Sequence, residues 1–130
     1  MFKSLLAIGL VAAASFAHAD VVVIGNPAAA ALTKDQVSDV FLGKSQVFTP
    51  IDQPDSAAVR AEFYKKATGR DPAQVKATWS RLVFTGKAVA PKEVADAAAV
   101  KKAVAADPKA IGYIDKSALD GSVKVLLALD

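Results

Sequence analysis

Cysteine is absent from all 130 residues. Disulfides, thiolate nucleophiles, thiolate metal sites and a lipid-modified cysteine are therefore excluded. Histidine occurs once, at His18. Neither sign of charge dominates: sixteen basic residues stand against thirteen acidic ones, and both are scattered. No basic stripe of the kind that follows a nucleic-acid backbone is present, so nucleic acid is not an expected partner. The acidic residues Asp35, Asp39, Asp115 and Asp120 lack the spacing of a metal loop. No cofactor is expected, and no residue pair is spaced for catalysis.

Long apolar runs are also missing. The run Leu5 to Ala14 is shorter than the ~20 apolar residues a membrane span needs. It follows Lys3 and precedes Ala17-His18-Ala19, an A-x-A cleavage pattern. Residues 1–19 therefore read as an export signal cleaved after Ala19, and the protein is expected in the periplasm. Residues 20–130 remain, without the histidine. Sixteen basic residues less Lys3, against thirteen acidic ones, leave a formal charge of +2. That length suffices for one domain with a single core, held without staples.

What is there alternates between strand and helix signals. VVVIGN (21–26) is a β-branched run apolar on both faces, as in a central strand. Thr33 with Gln36 forms a capping box. Val37, Val40 and Phe41 give the stripe of the helix it opens, and Gly43 stops that helix. Gln46 to Ile51 reads as a second strand. IDQPDSAAVRAEFYKK (51–66) leads into a helix with Val59 and Phe63 on one face, ended by Thr68-Gly69. Asp71-Pro72 with Gln74 opens the next, along which Val75, Trp79, Leu82 and Val83 line one side up to Gly86. Lys87 to Ala95 reads as a loop. Asp96 caps an alanine-rich helix with Val100 and Val104, broken at Asp107-Pro108. AIGYI (110–114) and VKVLLAL (123–129) read as strands around a turn region, 115–121. The class is α/β with a small mixed sheet and flanking helices.

LTKDQVSDVFLGK (32–44), IDQPDSAAVRAEF (51–63) and AIGYID (110–115), in that order, resemble the phosphate-binding proteins of bacterial transporters. The likeness is closest to short exported proteins with a periplasmic-binding-protein-like domain. It implies a single lobe of the type-2 fold where full-length members have two. It also implies a role in recognising phosphate or a similar oxyanion, with an ABC transporter as membrane partner. In the family a G-S-G-T loop starts a helix and hydrogen-bonds phosphate. The matching stretch here is Asp55-Ser56-Ala57-Ala58. Ser56 is kept, Asp55 stands for the first glycine, and Ala58 stands for the threonine. A second phosphate loop would fall at Gly25-Asn26-Pro27-Ala28.

Two readings of the helix start stay open. A helix N-terminus carries partial positive charge and exposed N–H groups, where anions settle. Ser56 adds a hydroxyl, and Arg60, four residues on, leans back toward that end. On this reading Ser56, Ala57, Ala58, Arg60 and Asn26 are the ligand-binding residues. On the other, Asp55 or Ser56 is an ordinary N-cap and Arg60 a surface partner. Asn26 is then a turn residue, Trp79 a core residue, and Tyr113 a packed ring with its hydroxyl on backbone. Three or four charge-assisted contacts give about 5–8 kcal/mol. Association costs at least ~4 kcal/mol, so a lone lobe binds at about millimolar strength. Tighter binding needs contacts from a second copy of the chain or a partner protein. The competing function is an envelope interaction module that keeps the fold and has lost the ligand.

Overall fold

The computed structural model describes residues 20–129. Residues 1–19, where the export signal is read, lie outside the described residues. The elements are β1 (Val21–Gly25), α1 (Lys34–Phe41), β2 (Thr49–Asp52), α2 (Ala58–Thr68), α3 (Pro72–Phe84), β3 (Lys92–Glu93), α4 (Ala97–Ala106), β4 (Ala110–Asp115), a 3-10 turn (Lys116–Ala118) and β5 (Lys124–Leu129). The five strands form one mixed sheet in the order β3-β2-β4-β1-β5. β2 runs parallel to both β3 and β4, while β1 runs antiparallel to β4 and β5.

The two-residue period of β1 divides the core. Val21 and Val23 pack with α1, α2 and α3 on one face, among Val37, Phe41, Phe63 and Tyr64. Val22 and Ile24 pack with Val100 and Val104 of α4 on the other. A strand covered on both faces gains from apolar side chains at every position, which accounts for the unbroken VVVI run. Beside β1, β5 slips register between Val23 and Ile24. The bulged Leu126 carbonyl accepts the Leu32 N–H at 3.0 Å and fastens the segment leading into α1.

Caps set three helix starts. Thr33 and Gln36 exchange bonds of 3.2 and 2.8 Å, and Asp71 and Gln74 bonds of 2.9 and 3.0 Å. Asp96 accepts from the Ala99 N–H. Gly43 and Gly69 take positive φ where α1 and α2 end.

Some boundaries differ from the sequence reading. β2 begins at Thr49 rather than Gln46, because Lys44 and Ser45 N–H groups are tied back to the Asp39 carbonyl and pairing starts with Thr49 N–H on Lys109 O. Within the expected loop 87–95, Lys92–Glu93 adds a short strand to β2, placing Glu93 opposite Asp52. On α3, Val75 and Trp79 are buried, but Val83 is 47% exposed.

Gly112 shows how tightly α4 is seated. A Cβ there would lie 2.5 Å from Val100 Cγ1. Gly112→Ala is expected to destabilise by about 1–3 kcal/mol through overpacking. In urea unfolding, a double-mutant cycle with Val100→Ala should show part of that loss relieved.

Candidate functional site

β2 ends in a carboxylate that is taken out of water. Asp52 is 4% exposed. One of its oxygens accepts the Tyr64 hydroxyl at 2.6 Å. The other accepts the Tyr113 hydroxyl and the Gln53 N–H. Gln53 also donates its side-chain amide to the Tyr113 carbonyl at 2.8 Å, extending the β2–β4 pairing by one step. A buried carboxylate is tolerated only when its lone pairs are satisfied this way. The tyrosine rings are held in turn by aromatic packing. Tyr113 stacks on Phe63 with centroids 4.1 Å apart, and Tyr64 meets Phe63 edge-on.

Arg60 lies one helical turn before Tyr64, so its side chain falls on the same network. It is 8% exposed. Nη1 donates to the Gln53 carbonyl at 2.7 Å. The guanidinium stands 3.8 Å from Asp52, 3.4 Å from Asp55 and 3.6 Å from Glu93. Its Nε is buried without a hydrogen-bond partner. Burial works against the charge, but Asp52, with the two tyrosine oxygens and Asp55, outweighs it and raises the pKa, so Arg60 stays a cation.

Beyond Arg60 opens a cleft of about 140 Å³, lined by Asp52, Arg60, Lys76, Trp79, Ala90, Pro91 and Glu93. It lies at the carboxyl ends of the parallel strands β2 and β3, the end of an α/β sheet where ligands gather. Lys76 reaches in from α3 and contacts Asp55 at 3.4 Å. Two cations therefore face the cleft together with the carboxylates of Asp52 and Glu93.

The predicted site residues divide. Arg60 is at the cleft. Ser56 is exposed in the turn between Pro54 and Ala57, and neither it, Ala57 nor Ala58 lines the cleft. Helix α2 starts at Ala58 with Ala57 as N-cap and no side-chain cap, so neither Asp55 nor Ser56 caps it. Asp55 is drawn instead to Arg60 and Lys76. Asn26 sits at the opposite end of the sheet, since Gly25 pairs with Ile111 while Asp52 lies at the far end of β2. There it accepts the Ala28 N–H and donates to the Ala105 carbonyl, closing a turn and capping the end of α4. Trp79 is a core residue whose indole donates to the Phe41 carbonyl. The Tyr113 hydroxyl meets backbone as expected, accepting the Gln53 N–H at 3.1 Å, and in addition donates to the Asp52 carboxylate. Lys76 and Glu93 were not singled out from the sequence: each looks like a surface charge until β3 pairs with β2.

No protein family model matches the chain, and no curated protein matches it. Six chains of solved structures do, among them the following two. One, from Clostridium perfringens, is described as a phosphate ABC transporter substrate-binding protein with bound phosphate. Its TM-score is 0.65 at 20% identity, over 83% of this chain and 45% of that one. The other is an ABC-type phosphate transport receptor from Vibrio cholerae, with a TM-score of 0.55 at 17% identity, over 83% of this chain and 46% of that one. The chain spans about half the length of these structures. The likeness shows the fold: one α/β lobe with the architecture of phosphate-binding proteins.

Tyr64→Phe removes one bond to a buried charge and is expected to cost about 1.5–3 kcal/mol in chemical denaturation. Burial first, then the charge of Asp52 and its hydrogen bond, raise the pKa of both Tyr64 and Tyr113 above the ordinary value of 10.0. A raised folded-state pKa gives stability that is complete below the unfolded value and lost as pH climbs past it. Stability should therefore fall above pH 10, and Tyr64→Phe should flatten that fall.

Proposed function

We propose that the chain is an exported domain of solute-binding type that takes phosphate or a similar oxyanion in the cleft beside Arg60, in the service of an ABC transporter. The observation that carries this reading is the convergence of Arg60 and Lys76 on one small cleft at the carboxyl ends of β2 and β3. A planar guanidinium and a mobile ammonium together suit a tetrahedral oxyanion. Glu93 faces the same space and is 58% exposed at its side chain. Its carboxylate is suited to accept the proton that phosphate carries at neutral pH and sulfate lacks. The structural likeness to phosphate receptors and the export signal read in residues 1–19 support the same assignment.

A second reading is favoured by the charge around Arg60. Asp52, Asp55 and Glu93 bring three negative charges against the two of Arg60 and Lys76. On that reading the lobe is an envelope interaction module that has kept the fold without the ligand.

Thermal unfolding with added phosphate or sulfate separates the two. Phosphate at one hundred times its dissociation constant stabilises by about 2.7 kcal/mol. The oxyanion reading expects a shift with phosphate, at about millimolar affinity for the lone lobe, and a smaller one with sulfate. Lys76→Ala should weaken phosphate binding by about tenfold or more, the value of one charge-assisted contact. An unchanged melting temperature at every phosphate concentration would favour the interaction module.

A further inference from the structure

The guanidinium of Arg60 is only partly engaged by the core. Nη1 is taken by the Gln53 carbonyl at 2.7 Å. Nη2 meets the Asp55 carboxylate at 3.4 Å. Nε is buried without a hydrogen-bond partner. Nε and Nη2 form the side edge of a guanidinium, the pair of N–H groups that fits two oxygens of one oxyanion. A buried donor left unpaired is costly, and an anion laid along that edge would satisfy it.

Asp55 stands across that edge. Its two oxygens are divided, one 3.4 Å from Arg60 Nη2 and the other 3.4 Å from Lys76 Nζ. An oxyanion shared by the same two cations would place its oxygens in the same way. Asp55 lies in the turn between Pro54 and Ala57, caps no helix, and is 63% exposed at its side chain. The other groups around the guanidinium differ. Asp52 and Gln53 are buried, and Glu93 meets Nη1 rather than the open edge. We propose that Asp55 is a tethered competitor, an internal carboxylate that pairs with Arg60 and Lys76 and swings aside when an oxyanion enters.

This rests on the oxyanion reading and adds to it the device that sets affinity. The apparent dissociation constant of an entering anion is its intrinsic value divided by the fraction of molecules with Asp55 turned out. Two ion pairs of ordinary strength through one exposed carboxylate hold it in place about nine-tenths of the time, so affinity is lowered about tenfold. The exchange also accounts for three acids beside two cations. Asp52 is a fixed part of the core, whereas the Asp55 carboxylate leaves as the anion arrives, and the charge around Arg60 and Lys76 stays balanced.

Titration with inorganic phosphate, followed by calorimetry and by NMR, tests this on the wild-type chain and on Asp55→Asn. The variant should bind phosphate about tenfold more tightly. Its melting temperature without phosphate should stay close to that of the wild type, since Asp55 is exposed and caps nothing. Glu62→Gln makes the same change of net charge at the Lys66 pair on α2. It should leave phosphate affinity within about twofold at physiological salt. In the wild type, the Arg60 Nε–H and the Asp55 carboxyl carbon should shift together as phosphate is added. An Asp55→Asn variant that binds no more tightly, while Arg60 Nε–H still responds, overturns the proposal and leaves the oxyanion reading standing. So does a Glu62→Gln variant that gains as much, or an Asp55 carboxyl signal that stays still while phosphate saturates Arg60. If neither wild type nor Asp55→Asn binds phosphate, both readings fall. Binding by Asp55→Asn alone supports both, with the competitor holding the wild-type site shut.

Discussion

Much of the candidate site depends on satisfying one carboxylate, Asp52, in the interior. Burial of such a group is costly unless each oxygen is bonded. Here the bonds come from three places in the chain: Gln53 beside it, Tyr64 on α2 and Tyr113 on β4. Meeting them fixes the approach of α2 to the sheet and joins the ends of β2 and β4. It also fixes Arg60, which sits one turn from Tyr64 and donates a hydrogen bond from Nη1 to the Gln53 carbonyl. The cation at the cleft is thus positioned by the same constraint that closes the core.

That arrangement has two consequences for function. It presents a charged guanidinium at the end of the sheet where α/β folds collect ligands. It also supplies the counter-charges that moderate it, so a single lobe gives an anion only part of what tight binding needs. On the proposed reading the remainder comes from Lys76 and Glu93, which line the cleft with Arg60. Lys76, Trp79 and Ala90 line both the cleft and the apolar surface beside it.

The fold was largely legible because its signals are local. The VVVI run, the two capping boxes and the positive-φ glycines at 43 and 69 each act within a few residues, and each stands where expected. The site was less legible because its parts are not local. Asp52 and Tyr113 are 61 residues apart, and nothing near either one announces the other. β3 has only Lys92 and Glu93, both exposed, with no apolar period to mark it. Asp55 and Ser56 are favoured caps by residue type, yet Asp55 is drawn to Arg60 and Lys76, and the helix starts at Ala58 with Ala57 as N-cap. Arg60 was legible from its helical spacing to Ser56, and acidic partners were one of its two readings, but it is buried rather than at the surface and is held by the Gln53 carbonyl as well as by Asp52, Asp55 and Glu93.

The central claim is that an oxyanion binds between α3 and β3, beside Arg60, and not over the turn at Ser56. Backbone amide chemical shifts followed during a phosphate titration test it most directly. The account predicts saturating shifts at Arg60, Lys76 and Glu93, with residues 26–28 at the other end of the sheet unmoved. Shifts confined to residues 56–58 or 25–28, or none at all, would contradict it.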